Sequence, residues 1–362
     1  MMQTMKAFVL KGHGDFDQLQ WHEDWPMPVA QADEVLIKVG ACGLNNTDIN
    51  TRTAWYSKAV SENTTGGAFD EADDDDATWG GAAVTFPRIQ GADVVGEVVS
   101  IGPDGDATLL GKRVMIDTWL RDWSDPTNRD KCGYYGSECD GGFAQYTKIS
   151  QKHVHVVNSD LTDAELATFA TSYITAENML ERAQVSAGDS VLITGASGGV
   201  GSALIQLVNR RGAISIALSG KSKMAELKAL GAHHVIDRDD PDFKTALQKA
   251  TGKSTVSVLA DVVGGPQWPL WLDSIERGGR LTCAGAIAGP MVDFDLRTFY
   301  LRDLTFTGAT IVPVGLFAKL VTYIEKGEIK PLVAATYPLS ELHDAQRQFI
   351  AKSHIGNIVV TP

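Results

Sequence analysis

Apolar residues fall in short, turn-bounded runs in the first part of the chain and in longer, evenly spaced runs beyond residue 190. Met5 to Leu10, Glu34 to Ala41, Asp93 to Ile101, Gly111 to Asp117 and Phe143 to Ile149 are β-like stretches flanked by glycine, proline or acidic turns. Many short strands of this kind predict a separate, mostly-β domain, with Gly102, Gly105 and Gly111 at its turns. Asp160 to Leu180 reads as helical, with Leu161, Leu166, Phe169 and Ala170 on one side. Thr162, three residues before Glu165, offers a capping box at its start.

A different rhythm begins at Ser190. Val191, Leu192 and Ile193 read as a strand buried on both faces, Gly195 to Gly201 as a tight turn, and Ala203, Leu204, Leu207 and Val208 as one face of a helix. A second apolar run, Ile214 to Leu218, a helical stretch from Ser222 to Leu230 closed by Gly231, and a third run at Val235 and Ile236 complete a βαβαβ unit. Further strands are expected at Val256 to Ala260, Arg280 to Ala284 and Leu304 to Gly308, so the parallel array runs from about Ala183 to Ala309. A helix around Leu316 to Glu325, a strand near Leu332 to Tyr337, a helix from Ser340 to Ala351 and a last strand, Asn357 to Val360, follow. That last strand has no βα partner and is best placed back in the first domain's sheet. The fold class is therefore α/β: a doubly wound, Rossmann-like parallel sheet beside a mostly-β domain.

The turn after the first parallel strand carries the chemistry. Gly195, Gly198 and Gly201 spell G-x-x-G-x-x-G, and Ser197, Gly199 and Val200 complete it. Unpaired N–H groups and the dipole at a helix start attract an anion, and absent side chains let a pyrophosphate approach the backbone. The end of the second strand bears on which dinucleotide binds. An acid there would take a ribose 2′-hydroxyl, whereas a cation takes a 2′-phosphate. The chain reads Ser219-Gly220-Lys221-Ser222-Lys223, with no acid between Ala213 and Ala225, which favours NADPH. Val263-Gly264 and Gly285-Ala286 follow later strands and are candidates for ribose and nicotinamide contacts.

Composition narrows the remaining possibilities. The 362 residues suffice for two domains at roughly 150 residues each. The net charge of −13 argues against nucleic acid or an anionic membrane surface as partner. No apolar run approaches a membrane span, and Met1 to Ala7 lack a signal-peptide core, so a cytoplasmic protein is expected. Cys42, Cys132, Cys139 and Cys283 are too scattered for a disulfide framework. Ser57 to Thr85 stands apart: Asp70, Glu71 and Asp73 to Asp76 lie amid Gly66, Gly67, Gly80 and Gly81, with Trp79 beside them. It reads either as a solvated loop or as a lid near a substrate mouth.

The β-domain first, the glycine turn in the middle and the C-terminal return together resemble the medium-chain dehydrogenase/reductase superfamily. The specific pieces are Gly43-Leu44-Asn45-Asn46-Thr47-Asp48-Ile49-Asn50, Gly91-Ala92-Asp93-Val94-Val95-Gly96-Glu97, Gly111-Lys112-Arg113-Val114 and Gly141-Gly142-Phe143-Ala144-Gln145-Tyr146. The resemblance implies a GroES-like catalytic domain over 1–155 and 311–362 and a Rossmann NADP-binding domain over 156–310. Where the zinc branch of the superfamily has metal ligands, this chain has Asn45, Ala92 and Thr171, which points to the zinc-free quinone and enoyl reductases and to no metal.

In that branch an Asn-x-x-Asp and a later tyrosine match Asn45, Asp48 and Tyr56. The resemblance implies that Tyr56 either donates a proton, as the matching tyrosine does in enoyl-thioester reductases, or lines the nicotinamide pocket, as in quinone reductases, that Asn45 holds a carbonyl or the nicotinamide amide, and that Asp48 is a structural acceptor. Thr175 matches a threonine near the nicotinamide. Glu177 stands where an aromatic is usual, and Asn357 where relatives often carry a base near the phosphates. The implied function is NADPH-dependent reduction of a small molecule, a quinone or α,β-unsaturated carbonyl compound. A zinc-type alcohol dehydrogenase, an enoyl-CoA reductase and a non-catalytic NADPH-binding protein are the alternatives, the acidic segment weighing against CoA thioesters. Leu304 to Gly308 resembles an edge strand that pairs between subunits in relatives, so a homodimer is expected.

Overall fold

The structure, a computed structural model, describes residues 3–80 and 83–362. Gly81 of the acidic segment, like Met1 and Met2 of the N-terminus, lies outside the described residues. Two units are distinguished by Cα packing: Met1–Val60, Thr65–Thr171 and Pro313–Pro362 form the first, and Ser61–Thr64 with Ser172–Val312 the second.

In the first unit β1 (Thr4–Leu10) and β2 (Leu19–Pro26) form an antiparallel pair. Strand β3 (Glu34–Gly43) is the spine of the main sheet, with Val35, Ile37 and Val39 buried along it. It pairs along its length with β4 (Asp93–Ile101), which pairs onward to β5 (Arg113–Ile116). Strands β6 (Trp119–Leu120) and β7 (Gly133–Tyr134) make a small separate ladder; β8 (Tyr146–Ser150) joins the first half of β3, and β9 (Val154–Val156) joins β5.

Helix α1 (Asn46–Arg52) follows β3 directly. Its sequence is polar except for Ile49, so apolar periodicity does not announce it; its signal is the Asn45/Asp48 capping box.

The expected single helix over 160–180 is two, α2 (Asp163–Leu166) and α3 (Ala170–Arg182). Side chains from elsewhere take the backbone groups between them. Asn357 Nδ2 donates to Thr168 O at 2.5 Å, and Thr171 N donates to Asp93 Oδ1 at 2.9 Å. The Thr162/Glu165 capping box opens α2 as its sequence predicts. At Gly43 a Cβ would meet Ala167 O at 2.3 Å, so glycine lets this segment lie on β3. Residues 156–171 fall in the first unit, and residues 61–64 and 311–312 in the second.

The second unit is a parallel sheet of β10 (Ser190–Ile193), β11 (Ile214–Ser219), β12 (His234–Asp237), β13 (Val256–Asp261), β14 (Ile275–Cys283) and β15 (Thr305–Gly308), in the order 12-11-10-13-14-15. Crossover helices α4 (Gly199–Arg210), α5 (Met224–Ala229), α6 (Phe243–Thr251), α7 (Trp268–Leu272) and α8 (Leu296–Leu301) lie between strands. Leu192, Ile216, Leu218, Leu247, Leu259 and Trp271 are among the residues of its core. Burial of such a side chain contributes about 1.5–3 kcal/mol.

The chain then returns to the first unit through α9 (Leu316–Glu325), β16 (Val333–Pro338), α10 (Leu342–Ala351) and β17 (Asn357–Thr361). Strand β17 pairs antiparallel with β3 through Gly43 and Cys42, as expected of an orphan terminal strand. The four cysteines are unpaired thiols, and among the described residues no helix is long and apolar enough to cross a membrane.

Candidate active site

In the second unit the expected cofactor residues lie at the carboxyl ends of β10, β11, β13 and β14, except Thr175, which is on α3. Gly195 has φ +56°, a left-handed conformation that glycine adopts without strain. At Gly201 a Cβ would meet Gly195 O at 2.2 Å, so this glycine is required for α4 to pack on the turn. At Gly198, the N-cap of α4, a Cβ would meet only Gly195 O, at 3.6 Å. Backbone is thus open to an approaching phosphate there, and Gly199, Val200 and Gly201 form the first helical turn.

Val263, Gly264, Gly285 and Ala286 come together around Asp261, which sequence reasoning missed. Asp261 is fully buried and accepts from Thr194 Oγ1 at 2.6 Å, Val263 N at 2.9 Å and Gly264 N at 3.2 Å. Burial pushes its carboxyl up against the pull of those donors. The adjoining loops are cross-linked by Ala288 N to Val263 O (2.8 Å) and Gly265 N to Gly289 O (3.1 Å), and a Cβ at Gly264 would lie 3.3 Å from that of Ala286. The N–H groups of Val263 and Gly264 are therefore already used.

The two lysines part company. Lys223 is half-buried and donates to Ser197 Oγ at 3.3 Å, over the glycine turn; burial, helped by Arg238, pushes its ammonium down. Lys221 is exposed and reaches Asp237 instead, at 3.5 Å. The parallel register, which sets Ser219 beside Asp237, brings that acid to the crevice edge. Buried Ser219 ends β11, and its carbonyl accepts from Arg238 N at 3.0 Å. Arg238 is a second cation of this region that lies outside the glycine motif and its following strand.

Thr175 lies half-buried on α3. Glu177, two residues further along α3, does not stand in for an aromatic wall: fully buried, it accepts from Arg211 through both carboxylate oxygens at 2.8 Å. Asn357 belongs to the first unit and is spent on Thr168 O.

In the first unit the other two expected residues lie at either end of α1. Asn45 is its N-cap; its N–H donates to Asp48 Oδ2 at 2.7 Å, so Asp48 is the structural acceptor expected. Burial pushes Asp48 up to about 8. Nδ2 of Asn45 is buried without a well-aligned hydrogen-bond partner, although the amide is close enough to Asp93 to oppose that carboxyl's upward shift.

Asp93, pushed up to about 6 by burial, accepts from Thr171 N and from Thr171 Oγ1, and Thr171 Oγ1 meets Tyr134 OH at 2.7 Å. Two of the three positions matching the zinc branch's ligands, Asn45 and Thr171, are thus occupied around one carboxylate. Among the described residues no group of three or more His, Cys, Asp or Glu is placed to hold a metal ion.

Tyr56 follows α1, half-buried, its hydroxyl bonded to Thr47 and Asn50; burial raises its phenol above the ordinary value near 10. Trp79 of the acidic segment packs edge-on against Trp119, ring centroids 4.9 Å apart, and Trp119 against Tyr134 at 5.4 Å. The segment turns Asp70, Glu71 and Asp73–Asp75 outward while burying Ala77 and Thr78. It is fastened at Asp76 by Lys58 N (2.9 Å) and at Asp73 by Ser57 Oγ (2.9 Å). Arg52, wholly buried, donates to Gly66 O at 3.0 Å, Gly14 O at 2.9 Å and Gln346 Oε1 at 3.3 Å.

A parallel sheet with a dinucleotide turn at its strand ends, and a mostly-β unit with buried donors, define a nicotinamide-dependent oxidoreductase. Residues 31–159 match the alcohol dehydrogenase GroES-like domain and residues 199–326 the zinc-binding dehydrogenase domain. The chain belongs to the medium-chain dehydrogenase/reductase superfamily, in its quinone oxidoreductase-like branch. A solved structure from Sinorhizobium meliloti 1021, provisionally designated an alcohol dehydrogenase, is 43% identical with a TM-score of 0.90, covering 100% of this chain and 98% of that one. Human quinone oxidoreductase is 23% identical over 97% of this chain and 94% of its own length. The chloroplastic NADPH-dependent alkenal/one oxidoreductase of Arabidopsis thaliana is 27% identical over 99% and 80%.

Proposed function

We propose that this protein is an NADPH-dependent reductase of a quinone or an α,β-unsaturated carbonyl compound that works without zinc. The observation that carries the reading is the pair of side-chain donors flanking α1: the buried Asn45 Nδ2, which has no well-aligned partner, and the protonated Tyr56 phenol. A poorly satisfied buried N–H costs up to about 1–3 kcal/mol, a cost that a substrate oxygen accepting from it would reduce.

In the second unit, Gly198 to Gly201 would receive the pyrophosphate, Lys223 with Ser197 the 2′-phosphate, and Thr175 and the Val263–Gly264 and Gly285–Ala286 loops the nicotinamide half. When bound, the reduced cofactor supplies a hydride to the electron-poor carbon of the acceptor. As the conjugated oxygen gains negative charge, Asn45 Nδ2 and Tyr56 OH donate to it, and Tyr56 passes its proton on. Thr47 and Asn50 hold the tyrosine hydroxyl, and Asp48 fixes the Asn45 backbone. Conjugation spreads the charge, so no Lewis acid is needed. Two copies associate through the free edge of β15.

The test is consumption of NADPH absorbance against quinones, enones and enoyl-CoA compounds, with Tyr56→Phe and Asn45→Ala beside the parent. Turnover of quinones or enones by the metal-free parent, reduced about 10²-fold or more in Tyr56→Phe at unchanged NADPH affinity, is expected. Activity that appears only with stoichiometric zinc and an alcohol substrate would overturn the reading.

A further inference from the structure

A cavity of about 370 Å³ opens within the first unit, and neither Asn45 nor Tyr56 lines it. Its walls are largely apolar, with Met5, Trp25, Ile89, Leu120, Trp123 and Ile149 prominent. The size sits at the lower end of small-molecule pockets and suits a molecule of one or two rings.

Its charged lining residues are compensated within the protein. Lys148 pairs with Glu34 at 2.8 Å, Asp140 with Arg88 at 2.9 Å, and Arg121 faces the buried Asp117. A charged ligand would have no counter-ion to claim. Of the hydroxyl-bearing residues, Thr147 is bonded to Tyr135, Ser150 to Asp33, and Tyr146 is only half-buried.

What is not compensated is His153. It lines the cavity at 4% exposure, and neither ring nitrogen has a hydrogen-bond partner. Burial, with Arg121, His155 and Lys152 nearby, pushes its imidazole down to about 4, so at neutral pH it offers one N–H and one bare nitrogen. Trp123 Nε1 is likewise buried and unpartnered, its ring edge-on to His153 with centroids 5.5 Å apart. An acceptor on one ring and a donor on the other, the two rings in edge contact, match a hydroxyl, which can donate and accept at once.

We propose that this cavity is a second small-molecule site that takes a neutral phenol, its ring packed against the Trp25 and Trp123 walls and its hydroxyl bonded to His153 and Trp123. The site is independent of the acceptor site and of the reduction assigned to it.

Calorimetric titration of the full chain with 4-ethylphenol and with ethylbenzene tests it. The phenol should bind at least about tenfold more tightly than the hydrocarbon, the difference expected for pairing otherwise unsatisfied buried groups. His153→Phe should abolish that preference, His153→Gln, which keeps a donor and an acceptor, should restore part of it, and Tyr56→Phe should leave it unchanged. If His153→Phe does not fold, Leu120→Trp, which fills the cavity from its wall, must remove phenol binding. Equal binding of both compounds, binding of neither, or loss of binding in Tyr56→Phe overturns the proposal.

Discussion

Replacing Lys223 by alanine should separate the two nicotinamide dinucleotides. Its ammonium is 3.3 Å from Ser197 Oγ, half-buried at the glycine turn, and under the proposed function its charge would meet a 2′-phosphate that NADH lacks. Two unit charges about 4 Å apart attract by roughly 4 kcal/mol at an effective dielectric of about 20. Solvent exposure and side-chain ordering reduce that to about 1–2 kcal/mol. Lys223→Ala should therefore raise KM for NADPH about 5- to 30-fold and leave KM for NADH within about twofold. Lys221 is 85% exposed along its side chain and turned to Asp237, so Lys221→Ala should change neither by more than about twofold. Steady-state kinetics at low ionic strength, with both cofactors and both variants, provide the assay. A larger effect at Lys221 than at Lys223, or equal losses with NADH, would refute the reasoning.

The buried carboxyls of the first unit predict a pH dependence. Asp48, raised from 3.8 to about 8, holds its proton more tightly folded than unfolded, so its stabilising contribution is full below pH 4 and is lost as pH rises toward 8. Asp48→Asn should flatten the fall in urea midpoint between pH 5 and 8 and gain at least about 1 kcal/mol over the parent at pH 8.5; an unchanged slope would count against it. Glu177→Ala removes the two-oxygen partner of Arg211 and leaves it Glu181, at 3.5 Å; it should cost about 1–3 kcal/mol in urea unfolding with NADPH affinity unaltered, whereas a loss of affinity without a loss of stability would return Glu177 to the nicotinamide wall. Leu296, Tyr300 and Leu301 of α8 are more than half exposed beside the free edge of β15; light scattering should find a dimer that Leu301→Lys converts to monomer, and a monomeric parent would dismiss the interface.

What could be read in the sequence was local. The strand, glycine turn and helix at 190–210 signal themselves through an apolar run, three spaced glycines and a helical face, and the Thr162/Glu165 cap is written in four residues. What could not be read depends on distant segments meeting. The break before α3 is made by Asp93 and Asn357, from other strands of the same unit. Lys221 is diverted by Asp237 because two parallel strands share a register. Asp261 and Arg238 lie at strand ends where only the closed sheet shows what they face. Strand β2 carries Glu23 and Asp24 between its tryptophans, which hides the alternation that marks a half-buried strand.

Arg52 gives the acidic segment a fixed point of attachment. With one guanidinium spanning Gly14, Gly66 and Gln346, a length change between residues 52 and 66 would pull Gly66 away from a buried anchor that two other segments share, whereas exposed Asp70 and Glu71 lie between that anchor and the fastenings at Asp73 and Asp76. Inserted or deleted residues should thus be tolerated around Asp70 and Glu71 and rejected between Arg52 and Gly66, so the length of this segment can drift at its exposed turn while α1 keeps its seat.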